Sequence, residues 1–246
     1  MKTTVLFLGS HLKSYHCFRY LVENFPNIEV VGVVPHNKQP PVRFDQDISA
    51  YAIAKKIPVL ELEDLAGIPC DLGISLLFDM KLSPNIVSLP KRGFINIHLA
   101  PLPQLRGVNG IYHAIRLARE KNRWHFAVTL HYMDAQLDTG PIIDQMTLPL
   151  FEDDTAQSLH LRACDKVYEL FVGNIGRLIK NQKRISSKPQ NETGTYYFKK
   201  DITHEIDINW PPQKIYDYVR ALTFPGKPKP FISVGPYRFY LSLENI

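Results

Sequence analysis

Three features that define whole classes of proteins are scarce or missing in this chain. It has only three cysteines, Cys17, Cys70 and Cys164, and no Cys-x-x-Cys pair, which argues against a disulfide framework or a zinc knuckle and predicts reduced thiols. No apolar run approaches the ~20 residues of a membrane span. No block of lysine and arginine occurs either, although the net charge is +5, so the sequence does not indicate a nucleic-acid surface.

The remaining composition is that of a globular protein. The chain has 246 residues, of which 45% are hydrophobic and 22% charged, and this size suits one large domain or one domain with a small appendage. The sequence pI of about 9.0 suits an anionic ligand, most simply one with phosphates. The apolar run near the start, in MKTTVLFLGS, is too short for a signal peptide. We therefore expect a cytoplasmic protein without membrane contact.

Apolar runs and helical spacing alternate along the first 180 residues. Strands are predicted at 3–9, 28–34, 72–77, 94–97, 125–133 and 141–148. Helices are predicted at 14–24, 49–56, 109–119 and from the Asp153–Thr155 cap to about Lys180. This order predicts an α/β fold with a Rossmann-like, mostly parallel twisted sheet and flanking helices.

The composition changes after the long helix. Residues 181–195 are polar and loop-like, and beyond them the pattern predicts a strand, a helix near 213–222 and a hairpin at 231–243. We predict a catalytic domain over residues 1–183. We expect residues 184–246 to form a small β-rich appendage that contributes to dimerisation and ligand contact. A homodimer through the hairpin follows from its edge-strand character.

The first strand-to-helix turn resembles a nucleotide-binding turn only in part. In Gly9-Ser10-His11-Leu12-Lys13-Ser14, only the first glycine of the dinucleotide fingerprint is present. Pro35-His36-Asn37 stand where the second strand would end in an acidic residue. The sequence therefore predicts no NAD.

The stretch Phe94-Ile95-Asn96-Ile97-His98 carries two polar side chains within a strand. The period of two places Asn96 and His98 on one face and the two isoleucines on the other. An asparagine amide can donate a hydrogen bond to a developing oxyanion, and a histidine can relay a proton. These are two of the functions that acyl transfer to an amine requires.

A carboxylate that orients the histidine would complete such a site. Asp138, in Gln136-Leu137-Asp138-Thr139-Gly140-Pro141, follows a predicted strand and suits this role. Taken alone, an aspartate in this loop is equally typical of a turn, and a single strand histidine is typical of core or surface packing. No spacing rule links position 98 to position 138.

The ordered set of motifs resembles the folate-dependent formyltransferase family. The resemblance lies in Asn96-Ile97-His98, Pro101-Leu102-Pro103, Arg106-Gly107 and Leu137-Asp138-Thr139-Gly140, and it covers about residues 1–180. It implies Asn96, His98 and Asp138 as the catalytic residues of an N-formyltransferase. It implies N10-formyltetrahydrofolate as the co-substrate, and no metal.

The resemblance also implies where the pteridine lies. The loop after strand 72–77 and the loop that precedes Asp138 should hold it, largely through backbone groups. The cofactor-binding residues predicted in this way are Leu77, Phe78, Asp79, Met80, Met133, Asp134 and Leu137. Ordinary core packing is the alternative for Phe78 and Met80.

The tail bears on the amine acceptor. Its motifs Tyr196-Tyr197-Phe198-Lys199-Lys200 and Arg220-Ala221-Leu222-Thr223-Phe224 are similar to those of the tRNA and nucleotide-sugar formyltransferases, and the short chain favours the sugar enzymes. We expect a dTDP-linked amino-dideoxysugar, with a 4-amino group favoured, for lipopolysaccharide O-antigen synthesis. Predicted substrate contacts are Lys81, Arg106, Asn109, Tyr197, Phe198, Arg220 and Phe224, since aromatic rings suit a base and cations suit a diphosphate.

Three alternatives remain open at this point. Methionyl-tRNA or glycinamide ribonucleotide could be the acceptor within the same family. A non-catalytic folate or nucleotide binder would need no oxyanion donor beside a proton relay. A zinc site built from His125 and His131, six positions apart, lacks a recognisable third ligand.

Overall fold

The computed structural model describes residues 2–9, 12–36, 47–190 and 194–243. The turn residues Ser10, His11 and Asn37, on which part of the argument against NAD rests, lie outside them. The strands are β1 (Thr3–Gly9), β2 (Ile28–Pro35), β3 (Leu72–Leu76), β4 (Phe94–His98), β5 (Leu105–Gly107), β6 (His125–Tyr132), β7 (Ile142–Pro149), β8 (Thr195–Tyr197), β9 (Phe231–Val234) and β10 (Tyr237–Tyr240). The helices are α1 (Leu12–Asn24), α2 (Ile48–Ala54), α3 (Pro84–Val87), α4 (Gly110–Ala118), α5 (Ala156–Lys180) and α6 (Pro212–Leu222).

Six strands form the central sheet in the order β2-β1-β3-β4-β6-β7. The pairs β1–β2, β1–β3 and β3–β4 are parallel, whereas β4–β6 and β6–β7 are antiparallel. The predicted α/β class with a mostly parallel sheet and flanking helices is confirmed. Strands β6 and β7 are antiparallel because they follow one another through a loop without a crossover helix.

The sheet is buried on both faces, and β1 shows how the sequence achieves this. Val5 and Phe7 pack into the larger apolar cluster, and the alternate residues Leu6 and Leu8 pack into a second cluster with Phe94. A continuous apolar run is what a strand covered on both faces requires. The second cluster marks the face of the sheet on which the polar residues of β4 lie.

Helix α5 begins where the sequence predicts. The side chain of Thr155 accepts a hydrogen bond from the backbone N–H of Ser158 at 3.2 Å, which closes a capping box. The helix packs against α1 and against β6 and β7. Among the described residues, no helix combines the length and the apolar character needed to cross a membrane.

The tail pairs with β5 in a small two-stranded sheet, separate from the central one, before it forms its own hairpin. Strand β8 pairs in parallel with β5, so that Arg106 lies opposite Tyr196. Strands β9 and β10 then form the predicted antiparallel hairpin. The pairing of β5 with β8 brings the tail next to the residues of the candidate site. The division of the chain at residues 183 and 184 stays a prediction.

Candidate active site

Strand β4 presents its polar residues as the alternation predicts. Ile95 and Ile97 are buried in the larger cluster, while Asn96 and His98 are half-buried on the opposite face. Phe94, on that same face, belongs to the second apolar cluster. The two polar side chains therefore lie on the same side of the sheet as the second apolar cluster.

His131 on β6 is a residue of this site whose role the sequence analysis missed. The antiparallel register places it directly opposite Asn96, so the two side chains share a face. The Nδ2 atom of Asn96 lies 3.1 Å from Nε2 of His131, and His131 Nδ1 lies 2.9 Å from the carbonyl oxygen of Tyr132. Because a carbonyl only accepts, Nδ1 carries the hydrogen and Nε2 accepts from the Asn96 amide.

The environment of His131 keeps its ring neutral. The side chain is fully buried, and burial lowers the pKa of His131 to about 4, with a smaller lowering from the neighbouring His98 and an opposing effect from Asp138. A neutral ring is what the contact with Asn96 requires, because a protonated Nε2 could not accept the amide hydrogen. The pairing of β6 with β4 reveals that His131 faces Asn96, which the sequence pattern of β6 alone does not predict.

His98 has a defined neighbour for each ring nitrogen. Its Nε2 atom lies 2.9 Å from the carbonyl oxygen of Leu105, so Nε2 carries a hydrogen. Its Nδ1 atom lies 3.6 Å from Oδ1 of Asp138. Both side chains retain 13% exposure. The pair is thus shielded from bulk water but still accessible.

Asp138 reaches this face because its loop adopts an unusual backbone conformation. Asp138 has φ 58°, a left-handed value that aspartate tolerates better than most residues. Its Oδ2 accepts a hydrogen bond of 2.9 Å from the backbone N–H of Gly107. Gly107 itself has φ +87°, and a Cβ there would lie 2.2 Å from the carbonyl oxygen of Tyr197. The structure thus brings Asn96, His98 and Asp138 together.

The predicted pteridine-binding residues divide by exposure. Phe78 and Met133 pack against the second apolar cluster, on the face that carries Asn96 and His98, and Leu77 packs against the larger cluster with φ 48°. Met80 and Leu137 are each 37% exposed. Phe78 and Met133 thus share a face of the sheet with the polar cluster, whereas Leu77 packs on the other face.

The two predicted carboxylates near this surface have local partners. Asp79 Oδ1 lies 2.5 Å from Nδ1 of His36, at the end of β2. Asp134 Oδ1 accepts from the Gln136 backbone N–H at 3.1 Å and from the Thr139 hydroxyl at 2.7 Å. Asp134 therefore shapes the loop that carries Asp138.

The predicted acceptor-side residues lie on several elements. Arg106 donates to the Gln190 side chain, Tyr197 stacks on buried His113 with ring centroids 3.7 Å apart, and Phe198 is 53% exposed. Lys81 is exposed, and Asn109 is exposed at the start of α4 with φ 60°. Of this set, Arg106 is linked most directly to Asp138, because the adjacent Gly107 donates its backbone N–H to the Asp138 carboxylate.

Arg220 is placed differently from the prediction. It is fully buried, its Nε donates to Asp217 at 2.9 Å, and its other nitrogens donate to backbone carbonyls of Phe151, Asp154 and Ile115. These contacts assign Arg220 to the packing of α6 on the catalytic fold in place of the predicted phosphate or sugar contact. Phe224, at the end of α6, is partly buried with its ring 5.3 Å from that of His160.

The zinc alternative fails on geometry. His125 begins β6 and is exposed, whereas His131 is buried near the other end of the strand. Six residues of a strand span roughly 20 Å, too far for one ion. Within the described part of the chain, no group of three or more histidine, cysteine and acidic residues is arranged to hold a metal.

An amide, an imidazole and a carboxylate that meet beside a mostly parallel α/β sheet can stabilise an oxyanion and relay a proton, as acyl transfer requires. The Formyl transferase family model matches residues 62–175. Methionyl-tRNA formyltransferase from Halalkalibacterium halodurans is 30% identical over 238 residues, which cover 89% of this chain and 71% of that enzyme. The chain belongs to the formyl transferase family.

Two solved structures extend the comparison. The N-formyltransferase from Helicobacter canadensis, in complex with folinic acid and dTDP-3-aminofucose, is 27% identical with a TM-score of 0.75, covering 91% of this chain and 81% of that one. WlaRD, a sugar 3N-formyl transferase solved with dTDP and 5-N-formyl-THF, is 25% identical with a TM-score of 0.77, covering 91% and 80%. The predicted family and the predicted enzyme class, an N-formyltransferase, are confirmed.

Proposed function

We propose that this protein transfers the formyl group of N10-formyltetrahydrofolate to the amine of a dTDP-linked amino-dideoxysugar. The observation that carries the proposal is the convergence of Asn96, His98 and Asp138, from positions 42 residues apart at most, on one face of the sheet. Within this proposal these three residues are the catalytic groups, and His131 orients the first of them.

Asn96 serves as the oxyanion donor. One hydrogen of its Nδ2 is held by Nε2 of His131, and the second is available to the formyl oxygen, on which negative charge builds as the amine attacks. A donor fixed before the reaction stabilises that charge without reorganisation. The neutral amide can do so without adding a competing charge of its own.

His98 manages the proton of the attacking amine. With a hydrogen on Nε2 for the Leu105 carbonyl, the neutral ring has its lone pair on Nδ1. A proton taken up at Nδ1 gives a ring in which each N–H has an acceptor, the Leu105 carbonyl on one side and the Asp138 carboxylate, now 3.6 Å away, on the other. Asp138 therefore fixes the ring and offsets its positive charge until the formyl C–N10 bond breaks and the proton passes to N10 of the departing tetrahydrofolate.

The apolar residues near this cluster suit a folate. Phe78 and Met133 lie on the same face as the catalytic groups, and Met80 and Leu137 present exposed apolar side chains. An aromatic pteridine needs such a surface together with a few polar groups. These residues would hold the ring so that the formyl carbon lies between Asn96 and His98.

The similarity to two sugar enzymes supports a nucleotide-sugar acceptor. Both relatives are at least 25% identical, and one was crystallised with dTDP-3-aminofucose. The exposed Phe198 and the nearby Arg106 offer a ring face and a cation on the acceptor side. The preference for a 4-amino group stays a prediction, as do the role in O-antigen synthesis, the cytoplasmic location and the homodimer. Methionyl-tRNA is the second candidate, because the Halalkalibacterium relative carries that name.

The test is tetrahydrofolate release from N10-formyltetrahydrofolate with separate acceptors. These are dTDP-linked 3-amino- and 4-amino-dideoxysugars, methionyl-tRNA and glycinamide ribonucleotide. We expect turnover with one amino sugar and its loss in Asn96→Ala and His98→Ala. Turnover with methionyl-tRNA alone would overturn the sugar assignment, and turnover that survives both substitutions would overturn the site.

A further inference from the structure

The side chain of Gln190 joins two segments of the active site. Its Oε1 accepts from Arg106, at 3.2 Å from Nε and 2.9 Å from a terminal nitrogen. Its Nε2 donates to the carbonyl oxygens of Asp138 at 3.1 Å and Gly140 at 2.7 Å. Arginine can only donate and a carbonyl can only accept, so the orientation of this amide is determined by its partners.

The two segments meet again at the Asp138 carboxylate. Gly107, next to Arg106, donates its backbone N–H to Oδ2 of Asp138 at 2.9 Å. Gln190, Arg106, Gly107 and Asp138 therefore form a closed ring of covalent and hydrogen-bonded links. The ring ties strand β5 to the loop that carries the carboxylate beside His98.

The Asp138 loop needs such support. Its φ of 58° lies in the left-handed region, which disfavours a residue with a side chain unless its surroundings hold it there. Gln190 holds the carbonyls on both sides of Thr139, which defines the direction in which the Asp138 side chain leaves the backbone. Gly140 packs so closely that a Cβ would lie 1.8 Å from the Tyr132 carbonyl oxygen, so the loop has little freedom to adjust.

We infer that Gln190 is a positioning residue for formyl transfer, which holds Asp138 in the conformation that reaches His98. The inference rests on the catalytic role proposed for Asp138. Gln190 acts through the backbone of Asp138 and Gly140, so we expect its loss to lower kcat while affinity for the folate co-substrate is largely retained.

Two substitutions separate its contacts. Gln190→Ala removes both the acceptor for Arg106 and the donors to the loop. Gln190→Glu keeps an acceptor for Arg106 but loses both donors and places a carboxylate beside two carbonyl oxygens. We expect each to lower kcat by about 10- to 100-fold, with the KM for N10-formyltetrahydrofolate within about three-fold of wild type. Gln157→Ala, at an exposed position on α5, serves as the control and should leave both constants unchanged.

The coupling to Asp138 distinguishes positioning from a general effect on the fold. In an Asp138→Asn background, Gln190→Ala should lower kcat by less than about two-fold further, because its effect passes through the carboxylate. A full additional loss would overturn the inference. So would a normal kcat in Gln190→Ala while Asp138→Asn is impaired. If Asp138→Asn itself retains full kcat, the proposed site is wrong.

A second measurement does not depend on turnover. Hydrogen exchange of the Gly107 amide reports the hydrogen bond to the Asp138 carboxylate directly. We expect exchange to accelerate at least ten-fold in Gln190→Ala and Gln190→Glu, and to stay unchanged in Gln157→Ala. Unchanged exchange in both Gln190 variants would overturn the inference even if activity fell.

Discussion

Asn96 and His131 face each other across β4 and β6, with Nδ2 of the amide 3.1 Å from Nε2 of the imidazole. The contact turns the Nδ2 end of the Asn96 amide towards His131. Because His131 accepts one of the two Nδ2 hydrogens and is itself fully buried, it fixes the direction of the second hydrogen, which is the donor that remains. The pair gives Asn96 an orientation that a lone asparagine on a strand would not have.

Asn96→Asp tests the donor with almost no change of shape. The substitution replaces an N–H donor with an oxygen and adds a negative charge where the formyl oxygen would develop its own. We expect kcat to fall by about 10²- to 10³-fold or more, measured as tetrahydrofolate release. Asn27→Asp, at an exposed position before β2, should retain wild-type rates. A fall of less than ten-fold in Asn96→Asp would argue against an oxyanion donor.

His131→Gln tests whether the second residue of the pair acts through the first. Glutamine cannot reproduce the buried Nε2 acceptor at the same place, so the amide of Asn96 loses its orientation. We expect kcat to fall by roughly ten-fold, which is less than the effect of Asn96→Ala. Contacting residues that act as a unit give non-additive effects. The double variant should therefore be no slower than Asn96→Ala alone, and a multiplicative loss would contradict this role.

The buried histidines make the stability of the protein depend on pH. Burial lowers the pKa of His131 and of His113 to about 4, whereas the unfolded chain titrates near 6.5. Between these values the unfolded state binds more protons, so stability is full above about pH 6.5 and falls as the pH decreases towards 4.

Urea unfolding at pH 7.5 and pH 5.0 measures this dependence. His131 alone should account for about 2 kcal/mol of the difference between the two conditions. His131→Gln should reduce the difference by about that amount, and His125→Gln, exposed at the start of the same strand, should not. A difference of equal size in wild type and His131→Gln would show that the ring is not held neutral.

The sequence predicted the strands and helices well because each rests on a local pattern. The alternation in β4 placed Asn96 and His98 on one face, and the cap at Thr155 marked the start of α5. The roles of His131 and Gln190 depend on partners 35 and 84 residues away. Strand register and a returning tail determine these contacts, and neither leaves a periodic signal in the chain.

For Arg220, the sequence pattern suggested a ligand contact that the structure does not support. A cation near aromatic residues in the tail suggested a phosphate contact, but the three- and four-residue spacing of α6 turns this side chain inward. There it meets Asp217, which is also bonded to Arg119 at 3.1 Å. The burial of the Arg220 side chain decides between the two interpretations, and residue type alone does not predict that burial.

Arg220→Met should therefore destabilise the fold without affecting the acceptor. It removes one donor from each of three backbone carbonyls, of which that of Phe151 still accepts from the Asp154 backbone N–H, and it removes one of the two partners of the buried Asp217 carboxylate. We expect a loss of about 3–5 kcal/mol in urea unfolding, with the KM for the sugar nucleotide unchanged. Arg123→Met, at an exposed position, should alter neither quantity. Normal stability with a ten-fold higher KM would restore the original prediction.

The hairpin offers the surface on which the predicted homodimer can be tested. The register pairs Tyr237 with Val234 and Phe239 with Ile232, so these four side chains share one face. Val234, Tyr237 and Phe239 are 58%, 69% and 53% exposed, and a continuous exposed apolar patch of this kind is typical of an interface.

Substitution of this face should convert a dimer into a monomer. We expect Tyr237→Ser combined with Phe239→Ser to halve the sedimenting mass at micromolar concentration, because the patch loses the apolar area that a second copy would bury. Tyr240 is 64% exposed on the opposite face of the hairpin, so Tyr240→Ser is the matched control and should remain dimeric. A wild-type monomer at micromolar concentration would contradict the homodimer. Dissociation caused equally by Tyr240→Ser would place the interface on the other face.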